Sequence, residues 1–122
     1  MDDQPRAELA ALRKTTLTQP GALAQKAREA IFARGGAPDD PARALSAETL
    51  GPDVTSDPAR LDAVIVKIAK YAYRVTNADI QGLLAGGMSQ EAVYEAVICA
   101  ALGAGYWRLE RGLAALRSTP AS

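Results

Sequence analysis

No charge interrupts the twelve residues from Ala96 to Trp107, which lie inside "SQEAVYEAVICAALGAGYWRLERGLAALR", a segment of helical rather than alternating character. This run limits the possible folds more than any other feature of the chain. A dozen residues fall well short of the ~20 needed to cross a bilayer, so protein must bury them. A helix that is apolar on every side needs either a central position or a second subunit. Gly103, Ala104 and Gly105 leave a flat surface that another helix can approach closely. Each mid-helix glycine costs ~1 kcal/mol relative to alanine, and close packing offsets that cost. The sequence therefore predicts a homo-oligomer with this helix at its centre.

The rest of the chain also reads as helix. Alternating β-branched runs are missing and alanine is abundant, so the predicted fold class is all-α, a bundle of about five to six helices. "RAELAALRK" puts Leu9 and Leu12 on one side. In "TQPGALAQKAREAIFARGG", Thr18 is the expected N-cap, Pro20 falls in the first turn, and Gly35-Gly36 stops the helix. Its apolar stripe is Leu23, Ala27, Ala30 and Ile31. A proline-rich connection runs from Ala37 to Pro58, with one short turn expected around Ala42–Leu45. Asp57 then caps a helix that places Leu61, Val64, Ile65, Ile68 and Ala72 on one face and Arg60, Lys67, Lys70 and Arg74 on another. Thr76 and Asp79 make a capping-box variant, and Ser89 caps a last helix reaching Arg117, about 42 Å long. Residues 1–56 are expected as a helical arm plus connection and residues 57–122 as the helical core of one single domain.

Composition excludes whole classes of chemistry. The 122 residues contain no histidine, which removes Ser-His-Asp and Cys-His catalysis, His-ligated metals and imidazole proton shuttles. A single cysteine gives no redox pair and no thiolate zinc site. No phosphate loop, EF-hand or nucleotide fingerprint is present, so no cofactor and no metal are expected. Lys+Arg and Asp+Glu are both 14, so neither a nucleic acid nor an anionic membrane is an expected partner. The start of the chain, "MDDQPRAELA", is acidic and does not read as a signal peptide. With the lone cysteine, this suggests the cytoplasm.

The candidate site residues are few. Tyr71, Tyr73 and Arg74, near Lys67 and Lys70, form either an anion- or substrate-binding cluster or a solvated cationic helix end. Glu95 shares a helix face with Glu91 and is read either as a general base or as a salt-bridge partner of Lys67, Lys70 or Arg74. Cys99, between Ile98 and Ala100, is expected to be buried, with a raised pKa and no reactivity. Trp107 is expected to fill core or interface.

From Leu61 onward, "LDAVIVKIAKYAYRVTNADIQGLLAGGMSQEAVYEAVICAALGAGYWRLERGLAAL" resembles the carboxymuconolactone decarboxylase / alkylhydroperoxidase D-like superfamily. The likeness lies in an apolar helix, a short helix ending in "LLAGG", a capped "SQEAVYEAV" and an alanine-rich helix with "GAG" and a late Arg. It implies an all-α fold assembling as dimers, trimers or hexamers. Peroxidase members use a glutamate, a CxxC pair and a histidine. Here the cysteine and histidine positions fall on Ala72, Val75 and Asp79 in one register. In the other they fall on Arg74, Asn77 and Gln81, with Asp62 at the glutamate position. Neither register supplies a thiol or an imidazole, so dithiol peroxidase chemistry ranks last. The resemblance implies first a non-redox homo-oligomer that binds a small organic ligand or serves in assembly. It implies second a decarboxylase- or isomerase-like enzyme on a small organic acid. In that reading Arg74, Lys67 or Lys70 holds the carboxylate, Asp79 or Glu95 moves the proton, and Tyr71, Tyr73, Arg74 and Glu95 converge in a closed pocket.

Overall fold

A computed structural model describes residues 4–18 and 20–118, with side chains at 7, 8, 10–18 and 20–118. The described residues form six α-helices: α1 (Gln4–Thr18), α2 (Gln25–Gly36), α3 (Ala47–Leu50), α4 (Pro58–Tyr71), α5 (Asn77–Ala85) and α6 (Gln90–Ser118). Single 3-10 turns at Pro41–Arg43 and Ala72–Arg74 complete them.

Local chemistry sets most of the helix starts. Arg60 N–H donates to Asp57 Oδ1 at 3.2 Å and Ala92 N–H donates to Ser89 Oγ at 3.1 Å. Thr76 and Asp79 bond reciprocally, each side chain accepting the other's backbone N–H. The end of α5 is a Schellman turn: Met88 N–H donates to Leu83 O and Gly87 N–H to Leu84 O. Gly87 stands there at φ +97°, and Leu83 and Met88 are both buried beside it. Thr55 and Ser56 hydroxyls donate to Gly86 O, tying the proline-rich connection to this turn.

The start of α2 differs from expectation. Thr18 does not cap it but ends α1, its hydroxyl donating to Lys14 O at 2.7 Å. Pro20 lies outside both helices, and α2 begins only at Gln25, after Ala24, which has no side-chain cap. Thr18 satisfies itself on its own helix, so it is not available to the next one.

Helix α2 sits in the middle of the core, although it belongs to the stretch expected as an arm. Leu23, Ala27 and Ile31 pack with Leu61, Val64, Ile65 and Ile68 of α4 and with Ala92, Val93, Ala96, Cys99 and Ala100 of α6. Leu45 and Leu50 close the same cluster. Ala72 drops out of the α4 stripe because the helix ends at Tyr71, and it is exposed. Leu12 is exposed, and the side chain of Leu9 lies outside the described residues.

Helices α2 and α6 meet at small residues. A Cβ on Gly35 would strike Ala100 O, and a Cβ on Gly103 would strike Phe32 O. The close approach expected at Gly103 is therefore made within the chain, whereas Gly105 faces open space. Burial along α6 is one-sided: Ala92 to Ala104 on one face are covered, while Tyr94, Ala101, Gly105 and Trp107 are exposed. Arg34 locks α2 to α4. Its Nε and Nη2 donate to the two oxygens of Asp62 at 2.9 and 3.1 Å, and Nη1 donates to Asp40 O. Asp62 also accepts from Leu45 N–H at 2.8 Å. Among the described residues, no helix is long and apolar enough to cross a membrane.

Candidate functional site

The residues at the end of α4 do cluster. The Arg74 guanidinium lies 4.8 Å from the ring centre of Tyr71 and 5.7 Å from that of Tyr73, and the two rings meet edge to face. The cluster faces solvent, with Tyr73 79% exposed. Lys70 pairs with Asp39 at 2.7 Å, and this hydrogen bond and charge raise its pKa. Asp79 accepts from Thr76 N–H and from Lys67 Nζ, and these contacts hold its carboxyl below the ordinary value. Both groups are occupied in local ion pairs.

Glu95 is elsewhere. Arg108 Nη2 donates to Ala69 O, which places the end of α4 opposite Arg108. Thirteen residues, roughly 20 Å along the helix axis, separate Arg108 from Glu95. Tyr71, Tyr73, Arg74 and Glu95 therefore do not converge. Nor does Glu95 pair with Lys67, Lys70 or Arg74. Ala22 N–H donates to its Oε2 at 2.7 Å and Leu23 N–H to its Oε1 at 3.0 Å. A Cβ on Gly21 would lie 2.6 Å from this carboxylate, so glycine is what lets the chain wrap around it. Glu91 is exposed.

Cys99 is 1% exposed, and loss of solvation pushes its thiol up to about 11. A thiol so buried carries no thiolate at neutral pH and offers no nucleophile.

Two of the cavities beside α2 concern these residues. The larger, about 530 Å³, opens between α1, α2 and α6. Phe32, Tyr106, Trp107 and Leu17 wall it, and Arg13, Arg43, Glu29 and Glu110 edge it. Phe32 and Tyr106 stack edge to face at 6.0 Å, and the Arg13 guanidinium sits 4.7 and 5.4 Å from their ring centres. Arg111 covers the Trp107 ring at 4.9 Å. The smaller cavity, about 320 Å³, is lined by Arg28, Glu95, Tyr94, Thr16, Pro20 and Ile98.

Sequence reasoning missed the larger cavity because its three rings come from two helices about seventy residues apart. It missed Arg28 because an arginine is most often a surface residue and nothing in its local pattern marks this one as buried. Trp107, expected as filler, is 41% exposed on the cavity wall. The chain matches no family model, no curated protein and no solved structure.

Proposed function

We propose that this chain is a member of the carboxymuconolactone decarboxylase / alkylhydroperoxidase D-like superfamily without redox cysteines, a helical homo-oligomer that binds a small organic molecule. The observation that carries the binding reading is the cavity of about 530 Å³ with Phe32, Tyr106 and Trp107 in its wall. Its size and aromatic lining are those of a small-molecule site. Two cations and two carboxylates share the rim, so they balance and do not select a ligand by net charge. The three rings favour a flat apolar body. A single buried thiol suits a reducing cytoplasm.

The chain has one tryptophan, so the Trp107 indole N–H gives one assigned signal in a proton–nitrogen NMR spectrum. Titration with benzyl alcohol, benzoate and benzylamine presents one ring with three charges. All three are expected to shift that signal saturably, with affinities within about tenfold of one another. Phe32→Ala is expected to weaken all three together. No saturable shift from any of them would sink the binding reading.

Assembly is supported by the exposed side of α6. Ala101, Gly105, Gly112 and Leu116 fall in one helical stripe, small or apolar apart from Arg108, whose guanidinium donates to Ala69 O of α4. A second copy of the same helix fits there at close range. Sedimentation velocity is expected to give a multiple of 12.8 kDa, and Gly105→Glu is expected to lower it to one copy. A single-copy particle for the unmodified protein ends this part of the proposal.

A further inference from the structure

The outer side of α6 has mirrored spacing about Gly105. Helix α2 packs on the other side of α6, against Ala100 and Gly103. Steps of four, three and four residues lead back from Gly105 to Ala101, Ile98 and Tyr94. The same steps lead forward to Leu109, Gly112 and Leu116. At about 3.6 residues per turn, all of them lie within roughly 40° of Gly105 around the helix. Tyr94 is 69% and Leu116 61% exposed. Ala101, Gly105 and Gly112 are exposed, and Ile98 and Leu109 are half-buried. Arg108 stands at the edge of this face and turns aside to Ala69 O.

A face with mirrored spacing meets its own copy in register when that copy runs the other way. A two-fold axis at Gly105 sets Tyr94 opposite Leu116, Ile98 opposite Gly112 and Ala101 opposite Leu109. In the last two pairs a large side chain meets a small one. At the axis glycine meets glycine, with nothing of its own chain within 4 Å of either Cβ. This alternation lets the two helices interdigitate. A parallel pairing in register puts leucine on leucine and leaves Gly112 facing Gly112. The charges agree with the antiparallel arrangement. Glu91 and Arg117 are both exposed, on one flank of α6, roughly 40° and 120° round from Gly105. The axis brings Arg117 of one copy level with residue 93 of the other, beside Glu91, and the contact is made twice. Parallel pairing instead sets each of these charges beside its own like.

We infer that two copies of this chain pair antiparallel along the outer face of α6, in the register that puts Gly105 on the two-fold axis. The inference rests on the homo-oligomer proposed above and supplies its geometry. From Tyr94 to Leu116 the contact runs about 33 Å. The aromatic cavity stays accessible in the pair. Its lining residues Gly103, Trp107 and Glu110 lie on the far side of α6 from Gly105, so the second copy does not cover them.

Disulfide trapping in the full chain tests the register. Three variants are oxidised mildly: Tyr94→Cys, Leu116→Cys and the two substitutions together. Both sites are exposed, so the fold tolerates the changes, and Cys99, 1% exposed, takes no part. The double variant is expected to give a covalent two-chain product in which position 94 is joined to position 116. Each single variant is expected to give little, because like positions stand about 33 Å apart in the antiparallel pair. Single variants that cross-link as readily as the double overturn the arrangement in favour of a parallel one. A double variant that sediments as several copies but does not cross-link overturns it too. In both cases assembly itself survives, whereas a single-copy particle ends both. The charges give a second readout. Arg117→Glu is expected to weaken the association about tenfold, since two contacts are lost, and adding Glu91→Arg is expected to restore it. A double reversal no better than the single one overturns the register.

Discussion

The backbone carbonyl of Phe32 on α2 occupies the place where a side chain on Gly103 of α6 would begin. The two helices touch there backbone to backbone, and their shared core follows from that approach. A methyl group at Gly103 must push one helix away from the other. Gly103→Ala is expected to destabilise the fold by about 1–3 kcal/mol, the usual range for overpacking. Gly112→Ala, on the same helix with nothing of its own chain within 4 Å of its Cβ, is expected to stabilise the single chain by about 0.5–1 kcal/mol while loosening any pairing of two α6 helices. Paired urea melts of the two variants check the contrast.

The Arg34–Asp62 pair fastens α2 to α4 and also holds the connection, through Leu45 N–H and Asp40 O. Arg34 is buried, so removing its partner strands a charge. Asp62→Ala is expected to cost about 3 kcal/mol in a denaturant melt. Asp62→Asn, which keeps an acceptor for Leu45, is expected to cost less.

Asp79 sets a pH dependence. The Thr76 N–H first and Lys67 second lower its pKa in the folded protein. The unfolded chain binds that proton more readily, so the stability Asp79 contributes is present above the ordinary carboxylate value of about 4 and is lost as pH falls through the folded value. Melting temperatures measured from neutral to acid pH are expected to fall more steeply for the unmodified protein than for Asp79→Asn.

Cys99 is expected to resist a thiol reagent at pH 8 in the native protein and to react fully once denaturant unfolds the chain. Its thiol ionises only near pH 11 and is covered on every side. Prompt labelling of the native state would show that the α6 core opens. No thiol-dependent turnover of an organic hydroperoxide is expected.

The sequence by itself determined the helical class and most of the helix starts. Asp57, Thr76 with Asp79, and Ser89 act within three residues of themselves, so their spacing carries the whole signal. The stripes Leu23, Ala27, Ile31 and Leu61, Val64, Ile65, Ile68 were legible for the same reason, as was the burial of Cys99. Thr18 misled, because a hydroxyl at a helix boundary can serve either helix, and it bonds back onto α1. Only the tertiary structure decided the functional geometry. Glu95 meets Ala22 and Leu23 across more than seventy residues, Arg34 meets Asp62 across twenty-eight, and Arg28 becomes buried where α2 meets the end of α1 and the first half of α6. No local pattern encodes which helices cross, since that depends on where small residues permit the closest approach, and here Gly35 and Gly103 permit it.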